Sequence, residues 1–480
     1  MTVDQQVIAK GRYALPLGLF FGWLLSFPVY GPVMGALAEA RGVEPSGAVT
    51  TFLIAHAAGL FGFGFMGSRL PLPWPWFIRG SLACLVLTLS FVALPPSFWS
   101  PAMALLGLLA ALPVIVWSRY FADSTPYGWR GRTIAVAQVG ANLLLILVGL
   151  ALRHIPAVTM LVVSAAFLLT GAAAAAHLLR RSNGLPSAGV PARPSPSTQA
   201  EAPPPMPLWQ LICLIVFFFI GAGLVNQVVY PAQSGGATLP AQIGLLAYVL
   251  FDALSGHAAD RLDRRHVAVG GLAALGLSLF LGASLSNAFG LETAQFLVQA
   301  AYAPMDIFLW VTLADTAATK GKPTVYFGLG LGLNVFAIYV GSMAAGRLAA
   351  LFPGSSTALI AGAALFLAVP LVALSPVRLS VPRVAVPVAQ SEVSALASYG
   401  LTYREREIAL LLLEGASNDT IVGRFSISPN TLKTHLRHIY QKTETANRRE
   451  LILKVARRSE PATSPKTAPK SVPRRGTKAG

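Results

Sequence analysis

Long apolar stretches recur along the first 375 residues and limit what this chain can fold into more than any other feature. Twelve can be counted, each about 18 or more residues long with few charges, as a membrane-crossing helix requires. Hydrophobic residues make up 54% of the 480 residues and charged residues only 11%, whereas a typical soluble domain has about 25% charged residues. The pattern predicts a polytopic, all-α membrane protein and excludes a wholly soluble enzyme and a disordered chain. The approximate ranges are 13–37, 48–67, 78–95, 100–121, 133–152, 157–178, 208–230, 241–258, 267–286, 293–315, 325–350 and 356–375.

The net charge of +17 is unevenly distributed and indicates two physically different regions. The 106 residues after Leu374 carry 18 Lys and Arg against 8 Asp and Glu, which leaves +10 there and +7 in the apolar part. In the apolar part, fifteen basic residues fall on one side of the predicted bundle and three on the other. By the positive-inside rule we expect a multi-pass protein of the bacterial inner membrane with both termini in the cytoplasm. The first stretch follows Lys10 and Arg12 as in a signal peptide, but it is longer than an h-region, so we expect it to be retained.

A polar, Pro-rich interruption at 179–207 divides the apolar stretches six and six. It predicts a first six-helix half over 1–178, a cytoplasmic linker at 179–207 and a second six-helix half over 208–375. This architecture resembles the major facilitator superfamily, a family of transporters with twelve helices in two halves. The loop after the eighth stretch is similar to that family's G-x3-D-R-x-G-R-R pattern, with an aspartate in place of the second glycine and the matching residues Gly256, Asp260, Arg261, Arg264 and Arg265.

Ionisable and amide side chains inside the apolar stretches are costly in a membrane and often mark a functional site. The clearest are two carboxylates, Asp252 in the eighth stretch and Asp306 in the tenth. Asn142, Asn226 and Asn334 add neutral hydrogen-bonding groups in other stretches. We expect these five residues to contribute to binding a small-molecule ligand. The alternative is ordinary hydrogen bonding between helices, which is common in membrane bundles.

The segment 398–457 is amphipathic and carries two strong helix-start signals. Thr402 and Glu405 have the spacing of a capping box, in which each side chain accepts from the backbone N–H of the other residue. Ser428 before Pro429 predicts the N-cap and the first residue of a later helix, because proline at that position loses no hydrogen bond. The segment is therefore predicted to be a small helical module.

The later helix has an apolar stripe and a separate polar face. Leu432, Leu436 and Ile439 form the stripe at core-facing spacing. The polar side chains recur three or four residues apart and are Asn430, Lys433, Thr434, Arg437 and Gln441. A basic, amide-rich face on a short capped helix is typical of a recognition helix that enters the major groove of double-stranded DNA. An ordinary solvated face is the alternative.

The segments 401–408, 415–418 and 427–442 resemble the LuxR-type (GerE/NarL-like) helix-turn-helix family. The resemblance implies a four-helix DNA-binding domain in which Lys433, Thr434 and Arg437 face bases and His435 lies near the DNA backbone. It also implies a homodimer on DNA. The sequence departs from the family pattern at 443–445, where Thr-Glu-Thr weakens the expected apolar junction into the fourth helix and leaves the dimer contact in doubt. Leu451, Ile452 and Val455 still supply an apolar stripe for that helix.

Polar segments flank the module. A Pro-containing linker at 376–397 precedes it, and a basic, Pro-rich tail at 458–480 follows it. We expect the tail to be disordered and to be attracted to DNA phosphates or to the anionic lipid of the inner leaflet, two alternatives that the sequence does not separate.

Three classes of function follow from these features. The leading one is a one-component transcription regulator that senses a small ligand through the bundle and binds promoter DNA through the module. The second is a secondary transporter that carries an accessory DNA-binding domain. An enzyme is the weakest, because no nucleophile–base pair, metal-ligand spacing or phosphate loop is visible, and we expect no cofactor. The only cysteines, Cys84 and Cys213, are isolated in apolar stretches and predict neither a disulfide nor a metal site.

Overall fold

The computed structural model describes residues 13–29, 31–181, 206–229, 239–284, 288–351 and 396–455, except for 397, 415, 417, 426, 449, 452 and 453. The described chain forms helices and no strand. The membrane part contains α1 (Ala14–Ser26), α2 (Pro32–Ala40), α3 (Ser46–Met66), α4 (Pro75–Ser90), α5 (Trp99–Ser124), α6 (Arg130–Ala151), α7 (Ala157–Arg181), α8 (Leu208–Val229), α9 (Leu239–Arg261), α10 (Arg264–Ser284), α11 (Ala288–Lys320) and α12 (Pro323–Leu351).

The first predicted stretch, 13–37, is not one helix, so the expectation of a single uninterrupted span there was wrong. It is divided into α1 and α2 by a break after Ser26. Pro28 and Pro32 flank the break, and each lacks the N–H that would continue a helical ladder. At Gly31 the backbone folds back so closely on Ser26 that a Cβ would overlap its carbonyl group. By contrast, α5 and α11 continue through an internal proline.

The other predicted stretches from 48 to 350 coincide with helices, and the twelfth, 356–375, lies outside the described residues. Within the described chain, six helices are by themselves long and apolar enough to cross a membrane. Their ranges are Ser46–Met66, Pro96–Ser124, Tyr127–Ala151, Ala157–Arg180, Phe296–Lys320 and Pro323–Arg347. The fold class predicted from the sequence, an all-helical membrane bundle followed by a small helical domain, is confirmed.

Two helix pairs form the most extensive contacts between the first half of the bundle and the second. Helix α3 packs against α12, and α6 packs against α9. Both contacts rely on glycine: Gly64 meets Gly328, where an added Cβ would come within 2.7 Å of the Gly328 Cα, and a Cβ on Gly131 would overlap the carbonyl oxygen of Gly256. Small residues let helix backbones approach closely where no hydrophobic force drives association. The two halves are therefore in direct backbone contact in this conformation.

The chain divides into two compact units, Met1–Pro382 and Arg383–Gly480. The second unit has its own apolar core, formed around α13 (Tyr403–Leu413), α14 (Asn418–Phe425) and α15 (Pro429–Thr443). Helical residues between Arg448 and Val455 follow α15 and contribute Leu451 and Val455 to that core. The finer domain limits predicted from the sequence stay predictions.

Candidate functional site

The capping box predicted at the start of α13 is present. The Thr402 hydroxyl accepts from the backbone N–H of Glu405 at 3.3 Å, and the Glu405 carboxylate accepts from the backbone N–H of Thr402 at 2.9 Å. The same carboxylate accepts a hydrogen bond of 2.6 Å from Lys442 Nζ and lies 3.6 Å from Nδ1 of His438. Both partners project from α15. One buried side chain therefore holds the start of α13 against the second half of α15.

The charge of Glu405 is stabilised by these contacts. Burial alone would raise the pKa of its carboxyl, but the hydrogen bonds from Lys442 and Thr402 outweigh burial and lower the pKa to about 2. Sequence reasoning assigned Glu405 only to the capping box. Its link to Lys442 crosses 37 residues of chain, so no local spacing could have indicated it.

Helix α15 begins as the sequence predicted. The Ser428 hydroxyl accepts from the backbone N–H of Thr431 at 3.0 Å, and Pro429 occupies the first helical position. Leu432 and Ile439 are buried in the module core, and Leu436 packs against it from a half-buried position. This face fixes the rotation of the helix about its axis, and with it the direction of the opposite face.

The polar face of α15 is turned to solvent. Asn430, Lys433, Thr434, Arg437 and Gln441 are all exposed, and His435 is half-buried beside them. The Thr434 hydroxyl donates to the carbonyl oxygen of Asn430 at 3.2 Å and keeps its lone pairs available as acceptors. Helix α15 carries no Asp or Glu, so its surface is uniformly basic or neutral. The geometry suits contact with DNA, and the individual contacts stay a prediction.

A groove of about 590 Å³ runs beside the second half of this face. Its walls come from α15 and from the turn that follows it. The lining residues are Lys433, Leu436, Arg437, Tyr440, Gln441, Glu444, Thr445 and Ala446. Lys433 and Arg437 therefore border a shallow, open depression beside the polar face.

The junction after α15 is held by polar contacts instead of the apolar residues that the family pattern has there. Thr443 is fully buried, and its hydroxyl donates to the carbonyl oxygen of Ile439 at 2.7 Å. Glu444 ends the helix in the left-handed region, with φ at 49°. Arg448 then donates to the carbonyl oxygens of Leu412 and Ala416 at 2.9 and 2.6 Å, which caps the end of α13. The unusual Thr-Glu-Thr sequence is thus accommodated within the module.

In the bundle, the structure brings together the two carboxylates that the sequence singled out. Asp306 of α11 accepts a hydrogen bond from the Tyr248 hydroxyl of α9. Asp252 lies one turn after Tyr248 on α9, which packs against α11. Asp252 is fully buried, and neither of its carboxylate oxygens has a hydrogen-bond partner within the described chain. Tyr248 was missed by sequence reasoning, although its spacing of four residues from Asp252 was a usable signal.

The three amides are placed differently. Asn142 is buried in α6 and donates to the carbonyl oxygen of Gln138 in its own helix at 2.9 Å. Asn334 is half-buried in α12. The side chain of Asn226 lies outside the described residues. Among the contacts described, neither Asn142 nor Asn334 joins the acidic pair, and the ligand site predicted from these five residues stays a prediction.

A charge network joins the two halves at one end of the bundle. It consists of Arg130 and Arg132 from α6 with Asp260, Arg264 and Asp315 from α9, α10 and α11. Asp315 pairs with Arg130 at 2.5 Å and with Arg264 at 2.9 Å. Asp260 accepts hydrogen bonds from two backbone N–H groups in the first turn of α6, a favourable place for a carboxylate. The loop motif indicated Asp260 and Arg264; their partners in α6 and α11 are distant in sequence and were missed.

Comparison with known proteins assigns the module. Residues 400–455 match the luxR family of bacterial regulatory proteins. The monoamine regulon transcriptional regulator of Klebsiella aerogenes is 54% identical over 52 residues, which are 11% of this chain and 23% of that protein. A putative helix-turn-helix regulator of Mycobacterium bovis is 44% identical over 62 residues, or 13% of this chain and 7% of that protein. The chain thus spans less than a quarter of the length of these two relatives.

The bundle has its own structural relatives. A proton:xylose symporter of the major facilitator superfamily superposes with a TM-score of 0.55 at 15% identity, over 77% of this chain and 94% of the symporter. The fucose:proton symporter of E. coli superposes with a TM-score of 0.57 at 14% identity, over 76% of this chain and 98% of that one. Identity this low shows the fold alone. The chain therefore carries a LuxR-family helix-turn-helix domain at residues 400–455, preceded by a membrane bundle with the fold of the major facilitator superfamily.

Proposed function

We propose that this chain is a membrane-embedded, one-component transcription regulator. The observation that carries the proposal is the exposed, acid-free face of α15, which belongs to a LuxR-type domain in the same polypeptide as a transporter-like bundle. A bundle that binds a small ligand would supply the signal, and the module would act on a promoter. Both component families are regulators or transporters and not typically enzymes, so we propose no catalytic activity.

On double-stranded DNA, we assign base contacts to Lys433, Thr434 and Arg437. Arginine and lysine match the acceptor pair of guanine in the major groove, and the Thr434 hydroxyl can accept as well as donate. Asn430 and Gln441 stand at the two ends of the same face and would reach a base or the sugar-phosphate backbone. His435, half-buried at the side of the helix, is placed to contact the backbone.

For the membrane part, we assign the ligand site to Asp306 and Asp252, with Asn142, Asn226 and Asn334 as further candidates. Ligand binding transmits information only if it stabilises one conformation of the bundle over another. The charge network and the contact between Gly131 and Gly256 are our candidates for the element that changes between conformations, because both require α6 to lie against the second half. The position of Asp306 on α11, nine residues before Asp315, puts the candidate site and the network on one rigid helix.

We also propose the cellular arrangement from charge and family. The fifteen-to-three distribution of basic residues supports an inner-membrane protein of twelve spans with both termini in the cytoplasm of a bacterial cell. The LuxR-type domain supports a homodimer on DNA. The basic tail adds attraction to DNA phosphates or to membrane lipid.

The alternative is a secondary transporter with an accessory DNA-binding domain. The bundle favours it, because the fold is that of symporters and the two halves meet through contacts that could open and close. The two functions differ in whether the main activity requires α15. A regulator loses its effect on transcription when the polar face is removed, whereas a transporter keeps its flux.

Transcript profiling of a deletion strain tests the proposal. The strain is complemented with the wild-type chain, with Lys433→Ala plus Arg437→Ala, or with Lys454→Ala as a control that removes a surface cation paired with Glu444. We expect the double variant to reproduce the deletion profile and the control to reproduce the wild type. A double variant that behaves as wild type would refute DNA binding through this face. Metabolite levels inside and outside the cells are measured in parallel, and a deletion effect on them that persists after transcription is restored would favour the transporter.

A further inference from the structure

A buried carboxylate with no partner stands in the second half of the bundle. Asp252 is 0% exposed, and both of its oxygens lack a hydrogen-bond partner within the described chain. An ionised carboxylate in an apolar interior is costly unless a cation or a set of donors compensates it. The described surroundings supply neither. Within the described chain, the carboxylate of Asp252 is therefore uncompensated.

The neighbouring groups are acidic or neutral. The Tyr248 hydroxyl donates to the carboxylate of Asp306 and not to that of Asp252. The hydroxyl of Tyr302, one turn before Asp306, donates to the carbonyl oxygen of Ala222 in α8 at 2.7 Å. No described Lys, Arg or His pairs with either carboxylate. The hydrogen bond from Tyr248 compensates part of the charge of Asp306. Asp252 has no such donor within the described chain.

The surroundings favour an ammonium group over a metal ion. Calcium takes six to eight oxygen ligands, and magnesium demands octahedral geometry. In the described chain, no three His, Cys, Asp or Glu residues come together as a metal site. Each carboxylate instead has a tyrosine four residues before it on the same helix face, Tyr248 before Asp252 and Tyr302 before Asp306, and the Tyr248 hydroxyl donates to Asp306. Aromatic faces attract organic cations, and an ammonium N–H can donate to a carboxylate at the same time.

We propose that the bundle binds a small organic ammonium ion, a protonated amine, with Asp252 as its principal ion-pairing partner and Asp306 as the second acceptor. The assignment rests on the proposed function, since it names the class of ligand that the sensing bundle would take. Tyr248 acts as a positioning residue that holds Asp306 in place. The ligand would neutralise a buried carboxylate that has no partner within the described chain.

Thermal unfolding of the purified full-length protein in lipid nanodiscs at pH 7 tests the proposal. The probes are methylammonium and benzylammonium chloride, with benzyl alcohol as a neutral analogue and with NaCl and KCl at equal ionic strength. We expect at least one ammonium ion to raise the unfolding midpoint in a saturable way, whereas benzyl alcohol and the alkali salts do not. In Asp252→Asn the half-saturating concentration should rise at least about tenfold, because the buried charge partner is gone. Asp123→Asn, the same change at a half-exposed carboxylate on α5, should keep the response.

Unliganded Asp252→Asn should fold, because it removes an uncompensated charge, and Asp252→Glu keeps the charge as a second variant whose response should survive. Stabilisation by alkali salt alone, a midpoint that changes only with pH, or no response to any probe would each overturn the proposal. An ammonium response unchanged in Asp252→Asn would overturn it too. The transcript experiment remains independent: binding without a promoter effect refutes the proposed function, and a promoter effect without ammonium binding refutes only the ligand class.

Discussion

Replacing Glu405 by alanine should loosen the recognition helix without touching its DNA-facing side. The carboxylate accepts from the backbone N–H of Thr402 and from Lys442 Nζ, so the substitution removes two contacts at once. The capping interaction contributes about 1 kcal/mol. The ion pair contributes about 0.5 to 1 kcal/mol, because Lys442 is more than a third exposed and is screened by solvent. We expect the free energy of unfolding of the module to fall by about 1.5 to 2 kcal/mol.

Hydrogen exchange of the full-length protein in nanodiscs measures this loss. A decrease of about 2 kcal/mol corresponds to roughly 30-fold faster exchange of the core amides of α13 and α15. Glu405→Gln separates the two contributions. Glutamine can still accept from Thr402 in a capping box but loses the charge opposite Lys442, so exchange should accelerate only about 2- to 5-fold.

Glu407→Gln is the matched control, because Glu407 lies on the same helix and pairs with Arg404 at the surface. It should change exchange less than about 2-fold. Equal acceleration in Glu405→Ala and Glu407→Gln would refute the role assigned to Glu405. Acceleration confined to α13, with α15 unchanged, would refute the link between the two helices.

Other changes test the remaining parts of the account. Because the pKa of Glu405 is lowered from its ordinary value of 4.5 to about 2, its contribution to module stability is complete above about pH 4.5 and is lost as the pH falls toward 2. We expect circular dichroism to show that the stability of the wild-type module declines across this window and that the stability of Glu405→Gln does not. Lys433→Ala should weaken specific DNA binding by about 1 to 3 kcal/mol, measured by fluorescence anisotropy with specific and scrambled duplexes. In the same titration, Lys454→Ala should leave the preference for the specific sequence unchanged. If both variants lose specificity equally, α15 is not the reading element. Gly131→Ala should force α6 away from α9 and raise the labelling of a cysteine introduced between the halves. Gly140→Ala is the control on the same helix, because its added methyl meets no atom within 4 Å and labelling should stay unchanged. Unchanged labelling in Gly131→Ala would contradict the close packing.

The local features of this chain could be predicted from sequence because they depend on neighbours a few residues apart. Apolar stretches of membrane-spanning length gave the helices between 48 and 350, and the capping signals at Thr402 and Ser428 gave two helix starts in the module. The polar face of α15 followed from spacing alone, since residues three and four apart share a helix face. The break between α1 and α2 is the exception, because sequence reasoning weighed the length of the stretch above its two closely spaced prolines.

Contacts between distant elements could not be predicted in this way. Asp260 was visible in a loop motif, but its bonds to the first turn of α6 join positions more than 120 residues apart. The hydrogen bond from Tyr248 to Asp306 likewise depends on how α9 and α11 pack. At the junction after α15, Arg448 donates to the carbonyl oxygens of Leu412 and Ala416, which lie more than 30 residues earlier in the chain. In each case packing decides which polar groups meet, and a single sequence does not encode it in any local spacing.

Crosslinking of DNA to the chain in intact cells tests the central claim most directly. The protein is recovered from washed membranes after crosslinking, and the attached DNA is sequenced for the wild type and for Lys433→Ala plus Arg437→Ala. We expect the wild type to be enriched at a small set of promoters whose transcripts change in the deletion strain, and the double variant to lose that enrichment while it stays in the membrane. Uniform recovery of genomic DNA, or promoter enrichment that survives the double substitution, would contradict a membrane-embedded regulator that reads DNA through α15.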